Sequence, residues 1–318
     1  MNQSFLEGEL SAVRAIIQDV ARMADPAARG ALADLLGAGG KFLRPTILVL
    51  SAMTGQYEAV RIRPLAAAVE LLHTATLLHD DVIDDSPSRR GLPSAHVRLG
   101  RKHAVLAGDF LFSRCFLLAA DRTSPENAKG LAKAIDIIVS AEISQDIGRW
   151  HFSPSVRSCL RKIGGKTAVL FSLAARSGAS EAKAPRYVVS ALSRAAWAAG
   201  IAFQIQDDIL DWLGDEKELG KVVMNDLAEG FCTLPLALAL EGEETAARLL
   251  PLLTPLAISA GLSGEVASIV KASGAIERAA AMALSYRDRA LAGLEKLPPS
   301  FARDRLGLIF SAFIDRTR

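Results

Sequence analysis

A chain of 318 residues, half of them hydrophobic, is long enough to bury one large core or two small ones. Its formal net charge of +2 argues against a general polyanion binder, so nucleic acid is not an expected partner. Mean hydropathy is high at +0.25, yet no unbroken apolar run approaches the roughly 18 residues needed to span a bilayer, so no transmembrane segment is expected.

Residues 1–16 lack the basic and apolar regions of a signal peptide. From there the apolar period is helical almost everywhere, strand-type alternation is nearly absent, and Gly and Pro breakers divide the chain into roughly ten helical segments. Helices buried on most sides, or an internal apolar cavity, would account for the apolar excess. Gly39-Gly40 precede Lys41 and Arg44, a glycine pair beside two cations where backbone can approach an anion. By itself that pattern is weak, because Lys and Arg at a helix start are more often solvated.

Pro64 reads as a first-turn proline, followed by a helix over 65–85. That helix carries Asp80-Asp81-Val82-Ile83-Asp84-Asp85, and His73 lies two turns earlier on the Asp80 face. His79 is off that face and reads as structural or supporting. Arg89-Arg90-Gly91 follow within a short loop. The 108–120 stretch is apolar around most of a helix, which suits either a core or a dimer interface. Cys115, Cys159 and Cys232 show no metal-ligand spacing and read as small buried hydrophobes in a reducing cytosol. Lys166-Thr167 follow Gly164-Gly165, and a second long helix over 185–213 carries Asp207-Asp208-Ile209-Leu210-Asp211. Residues 214–231, with Lys221 after Gly220, should form a loop or broken helix. No long linker appears, so the expectation is one all-α domain over 1–318.

Both aspartate runs share the pattern D-D-x-x-D. On a helix Asp80 and Asp84 stack one turn apart with Asp81 about 100° round, and Asp207, Asp208 and Asp211 repeat the geometry. Carboxylates so crowded repel one another, and hard cations relieve the cost. Two such faces turned toward each other would hold several Mg²⁺ ions, which bind through a few carboxylates plus substrate phosphates. Two solvated acidic patches are the plainer reading, but two matched runs, each after apolar residues, favour a diphosphate grip.

With these residues in view, the chain resembles the all-trans isoprenyl (polyprenyl) diphosphate synthase family, most closely its bacterial medium- and long-chain members. The likeness runs nearly end to end. It includes Gly39-Gly40-Lys41-Phe42-Leu43-Arg44-Pro45, the stretch from His73 to Asp84 with Arg89-Arg90-Gly91, Gly108-Asp109-Phe110-Leu111, Glu142 to Gln145, and Lys166-Thr167. Phe203-Gln204-Ile205-Gln206-Asp207-Asp208-Ile209-Leu210-Asp211, Gly220-Lys221, Asp226-Leu227 and Thr233-Leu234-Pro235-Leu236 follow in the family's order.

The resemblance implies an orthogonal helical bundle of the isoprenoid synthase type around a central apolar cavity. It implies a Mg²⁺-dependent prenyltransferase acting on isopentenyl diphosphate and an allylic diphosphate, with three Mg²⁺ per site and Mn²⁺ able to substitute. Lys41, Arg44, His73 and Arg90 would hold the isopentenyl diphosphate; Arg89, Lys166 and Lys221 would hold the allylic one. Asp80, Asp84 and Asp207 would ligate metal, with Asp81, Asp208 and Asp211 supporting directly or through water. Thr167 and Gln204 would stabilise developing positive charge. A cytoplasmic homodimer is also implied.

One departure is Phe231, which follows Gly230 where the family usually has lysine. Small residues at Ala75 and Thr76, five and four before Asp80, together with the absence of a two-residue insertion in the first motif, favour a long product. Leu72, Phe112 or Phe116 would instead set the floor for a medium chain. The alternatives are a short-chain farnesyl or geranylgeranyl diphosphate synthase and a low-activity subunit of a heteromeric synthase. A terpene cyclase fits less well, because Asp207 to Asp211 is not its usual second metal motif; a head-to-head synthase would not need the Lys41, Arg44, His73 and Arg90 set.

Overall fold

The computed structural model describes residues 2–37, 41–89, 92–153, 155–213 and 224–315, without the Arg89 side chain. These residues are helical almost throughout, as the apolar period predicts. Beside the helices there is a two-residue antiparallel ladder, Ser88–Arg89 against Leu92–Pro93. The described residues group into two compact units. One comprises Met1–Ala134, Leu173–Ser193 and Leu297–Leu306; the other comprises Ile135–Ser172, Arg194–Lys296 and Gly307–Arg318.

The first unit is organised by the helix Ala59–Ile83, against which Gln3–Arg22, Leu43–Ala52 and Arg101–Arg122 pack. It begins earlier than the sequence suggests, so Pro64 lies inside it. The ring costs the bond its missing N–H would give to the Val60 carbonyl, and Val60 is exposed, where water can take that carbonyl. Ile62, Leu65, Val69, Leu71, Leu72 and Leu78 are buried along the helix, each worth about 1.5–3 kcal/mol. That burial outweighs the repulsion among the aspartates at its end. Close approach of neighbours depends on glycine: a Cβ on Gly178 would stand 2.1 Å from the Leu48 carbonyl oxygen.

Two buried carboxylates lock this unit. Glu181 accepts from the Ser124 N–H at 3.1 Å, from Asn127 Nδ2 at 2.6 Å and from Arg61 Nε at 2.6 Å. Burial alone would raise its carboxyl, but these donors together hold it below the usual carboxylate range. Glu9 takes two bonds from Arg63, at 2.7 and 2.8 Å, and one from the Tyr57 hydroxyl at 2.7 Å.

In the second unit the helix Val156–Ile163 passes into a π turn, Gly164–Ala168, closed by the Val169 N–H on the Gly164 carbonyl. Small residues make room for it. A Cβ on Gly164 would lie 2.7 Å from the Trp197 ring, one on Gly165 2.9 Å from Ala141 Cβ, and one on Gly200 2.7 Å from Ala168 Cα. The long helix ends where the sequence places it, spanning Arg186–Leu213. After it the helices are shorter and more numerous than expected, as in Asn225–Ala228, Leu234–Ala239 and Pro255–Ser259. Gly230, Gly261 and Gly274 take positive φ and end them, and Thr254 caps the Pro255–Ser259 helix through its side chain.

Arg101–Arg122 and Arg186–Leu213 are long and apolar enough, by length and composition, to cross a membrane, a looser test than an unbroken apolar run. In the second of these, 61% of the apolar window is buried inside the protein.

Glu181→Ala should cost about 3 kcal/mol in urea unfolding at about pH 7, because it strips a buried charge network of its acceptor. The carboxyl is held low, so its contribution is complete above the ordinary carboxylate value of 4.5 and is lost as pH falls through the lower folded value. Wild type and variant should therefore converge as the acid is titrated; a constant gap down to about pH 2 would contradict this account. Gly200→Ala should lower stability by about 1–3 kcal/mol through overpacking against Ala168. Gly8→Ala, on an open helix surface with nothing within 4 Å of the added Cβ, should be neutral or stabilising.

Candidate active site

The first aspartate run closes the helix Ala59–Ile83. Asp84 is its C-cap and donates its N–H to the Asp80 carbonyl at 2.8 Å, so the two aspartates keep their one-turn stacking. Asp80 and Asp84 are half-buried and Asp81 is 1% exposed. Asp85 turns away at φ +51° and is paired with His96 Nε2 at 3.3 Å and Arg101 at 2.8 Å. The last aspartate of the run is thus structural, which leaves D-D-x-x-D. His79 is structural as well: its Nε2 lies 3.1 Å from the Val105 carbonyl, and the ring fills the space a Gly108 side chain would need. His73 and Thr76 are half-buried and Ala75 is fully buried.

Arg44 is the second residue of the helix Leu43–Ala52, with Lys41 exposed just before it. Between them Phe42 takes a left-handed conformation at φ +51°, under the Arg14 guanidinium at 4.1 Å. Gly39, Gly40, Arg90 and Lys221 lie outside the described residues, as does the Arg89 side chain.

In the second unit, side chains distant in sequence form one hydrogen-bonded chain. Thr167 Oγ1 donates to Gln204 Oε1 at 2.6 Å, Gln204 Nε2 donates to Asp208 Oδ1 at 3.0 Å, and the Leu234 N–H donates to Asp208 Oδ2 at 3.4 Å. Burial, and then the charges of Asp226 and Asp207, push the Asp208 carboxyl well above its ordinary value. Asp211 accepts from the Asn225 N–H at 3.2 Å, and burial followed by Asp226 pushes it up to about 7. Lys166 Nζ pairs with Glu142 at 2.9 Å.

Lys166, Thr167, Gln204 and Asp208 line one pocket with Gln145, Lys162, Asp226, Phe231, Cys159 and Cys232. Gln145, Lys162, Asp226, Cys159 and Cys232 were assigned no site role from sequence. Asp226 belongs to the Asp226-Leu227 element and had a signal; Lys162 sits four before Lys166. Cys159 and Cys232, widely separated in the sequence, meet here, with Cys159 Sγ 3.7 Å from the Cys232 carbonyl.

Hard oxygen donors with raised carboxyls are what a divalent cation would relieve, so the donor set fits Mg²⁺. No group of three or more His, Cys, Asp or Glu side chains among the described residues forms a self-contained metal cluster.

The sequence model of the Polyprenyl synthetase family matches residues 25–257. A heptaprenyl diphosphate synthase component 2 from Geobacillus stearothermophilus is 38% identical over 303 residues, covering 95% of this chain and 94% of that protein. A decaprenyl diphosphate synthase from Rhodobacter capsulatus has a TM-score of 0.91 at 34% identity, covering 99% of this chain and 98% of that one. A polyprenyl synthase from Caulobacter crescentus CB15, solved with calcium and isoprenyl diphosphate, has a TM-score of 0.89 at 35% identity, covering 99% and 97%. With both aspartate runs and the Thr167–Gln204–Asp208 chain inside the matched stretch, this chain belongs to the polyprenyl synthetase family.

Proposed function

We propose that the whole chain, as one synthase domain, condenses isopentenyl diphosphate head to tail with an allylic diphosphate. Diphosphate is released and a medium- or long-chain all-trans polyprenyl diphosphate is built. The observation that carries this reading is the chain Thr167–Gln204–Asp208, in which a buried carboxyl fixes two polar side chains, with the half-buried Asp211 on the same helix. Mg²⁺, when bound by Asp80, Asp84 and Asp207 with support from Asp81, Asp208 and Asp211, supplies charge neutralisation of the leaving diphosphate.

The chain's own residues do the rest. Lys41, Arg44, His73 and Arg90 hold the isopentenyl diphosphate, and Arg89, Lys166 and Lys221 hold the allylic one. Thr167 and Gln204, locked to each other and to Asp208, present fixed oxygens to the positive charge that develops as the allylic carbon–oxygen bond breaks. The isopentenyl double bond then attacks, and a proton is lost to the departing diphosphate. The reaction needs water kept from the cation, which it would quench.

The enzyme is proposed to act in the cytoplasm as a homodimer. Val105, Leu106, Phe116 and Leu117 are exposed on one helix, and positions 105 and 116 are eleven apart, close to three full turns, so they share a face. A concentration-independent monomer in sedimentation would refute the dimer. The Geobacillus relative is named as a component, and that favours a second reading, in which this chain needs a different subunit for full activity. Turnover by the purified chain with Mg²⁺ alone dismisses it.

Asp80→Ala and Asp207→Ala should each lower turnover by about 10³-fold or more with the fold intact. Near-normal activity in either variant sinks the two-cluster mechanism. Each added isoprene unit buries five carbons, worth about 4 kcal/mol, so elongation continues until something bulky stops it. Ala75→Phe should shorten the product to about three or four units while primer condensation persists. An unchanged product would mean Ala75 does not line the path of the growing tail.

A further inference from the structure

Lys162 is the penultimate residue of the helix Val156–Ile163 and stands on the wall of the pocket that holds Lys166, Gln204, Asp208 and Asp226. Its ammonium lies 3.4 Å from where a Cβ would stand on Gly148, so the bare backbone there gives it room. Nearby cations are engaged by protein groups. Lys166 is bound by Glu142 at 2.9 Å; Arg149 pairs with Asp146 at 3.2 Å and lies 4.6 Å over the Phe231 ring. Lys162 has no carboxylate within ion-pair reach among the described residues, although two acids line the same pocket. A half-buried ammonium held this way keeps its donors for an anion that enters the pocket.

Phe231 forms another part of the same wall and brings no charge to it. Lys162 and Lys166 are four residues apart at the edge of the π turn, and both reach the pocket, so together they can address both phosphoryl groups of one diphosphate. We propose that Lys162 binds the diphosphate of the allylic substrate, supplying from the helix the positive charge that Phe231 does not supply from its loop. This rests on the synthase reading given above.

The test uses the full chain as wild type, Lys162→Met, Lys162→Arg and the double variant Lys162→Met/Phe231→Lys. Each is titrated calorimetrically with inorganic diphosphate in Mg²⁺ and assayed with farnesyl diphosphate and isopentenyl diphosphate. Lys162→Met should bind diphosphate about tenfold or more weakly and raise the allylic KM by a similar factor, with the isopentenyl KM within about twofold. Lys162→Arg and the double variant should recover most of the loss, and melting temperatures should be unchanged. Wild-type binding and allylic KM in Lys162→Met, an equal rise in both KM values, or no recovery by Phe231→Lys would overturn the proposal. If wild type binds diphosphate without condensing the two substrates, the synthase reading fails while the binding comparison still decides Lys162. If wild type does not bind diphosphate, Lys162 has no such ligand.

Discussion

A carboxylate taken out of water needs its charge answered, and the second unit is arranged around that need at Asp208. Its oxygens receive only neutral donors from the protein described, the Gln204 amide and the Leu234 N–H. Those bonds lower the cost of burial without cancelling it, and Asp226 and Asp207 add to it. The same bonds fix the neighbours. With Gln204 Nε2 committed to Asp208, its carbonyl oxygen must face Thr167, whose hydroxyl proton is then committed too. One buried charge thereby sets the orientation of two polar side chains that the proposed reaction requires to be rigid.

Acids withdrawn from water are handled here in two opposite ways. Glu9 meets Arg63 and Tyr57, Glu181 meets Arg61, Asn127 and Ser124, and both carboxyls are held low. Asp208 and Asp211 meet other acids, and theirs are held high. The first arrangement is complete within the protein and stabilises it. The second is completed only by a proton or by a cation from outside, which is the usual mark of a group kept for chemistry.

Much of this was legible in the sequence where the signal was local. The helical period, Pro185 before Arg186–Leu213 and the spacing within each aspartate run all act over a few residues. Local signals also misled: Pro64 suits a first turn, yet a helix can begin earlier when the lost bond falls at an exposed residue, here Val60. Asp85 continues the acidic run in sequence but leaves it in space, because its pairs with His96 and Arg101 come from residues beyond the loop. The place of Lys162 and the meeting of Cys159 with Cys232 depend on which segments pack together, and no short window of residues encodes that. The π turn had no sequence signature beyond its two glycines.

That turn has a consequence for how the chain can change in length. A π turn is an α-helix carrying one additional residue, and the surplus is absorbed at Gly164–Ala168 rather than spread along the helix. Deleting one residue there would restore the ordinary bond ladder and leave the flanking stretches near their present angular phase, whereas deleting Ile163, just before the turn, would swing everything upstream by about 100° about the axis. Cys159 and Lys162 would leave the wall they share with Thr167 while each stayed comfortably helical. Side chains in Val156–Ile163 can drift, but its residue count up to the π turn is fixed by angular phase, so a one-residue loss can be absorbed only inside Gly164–Ala168.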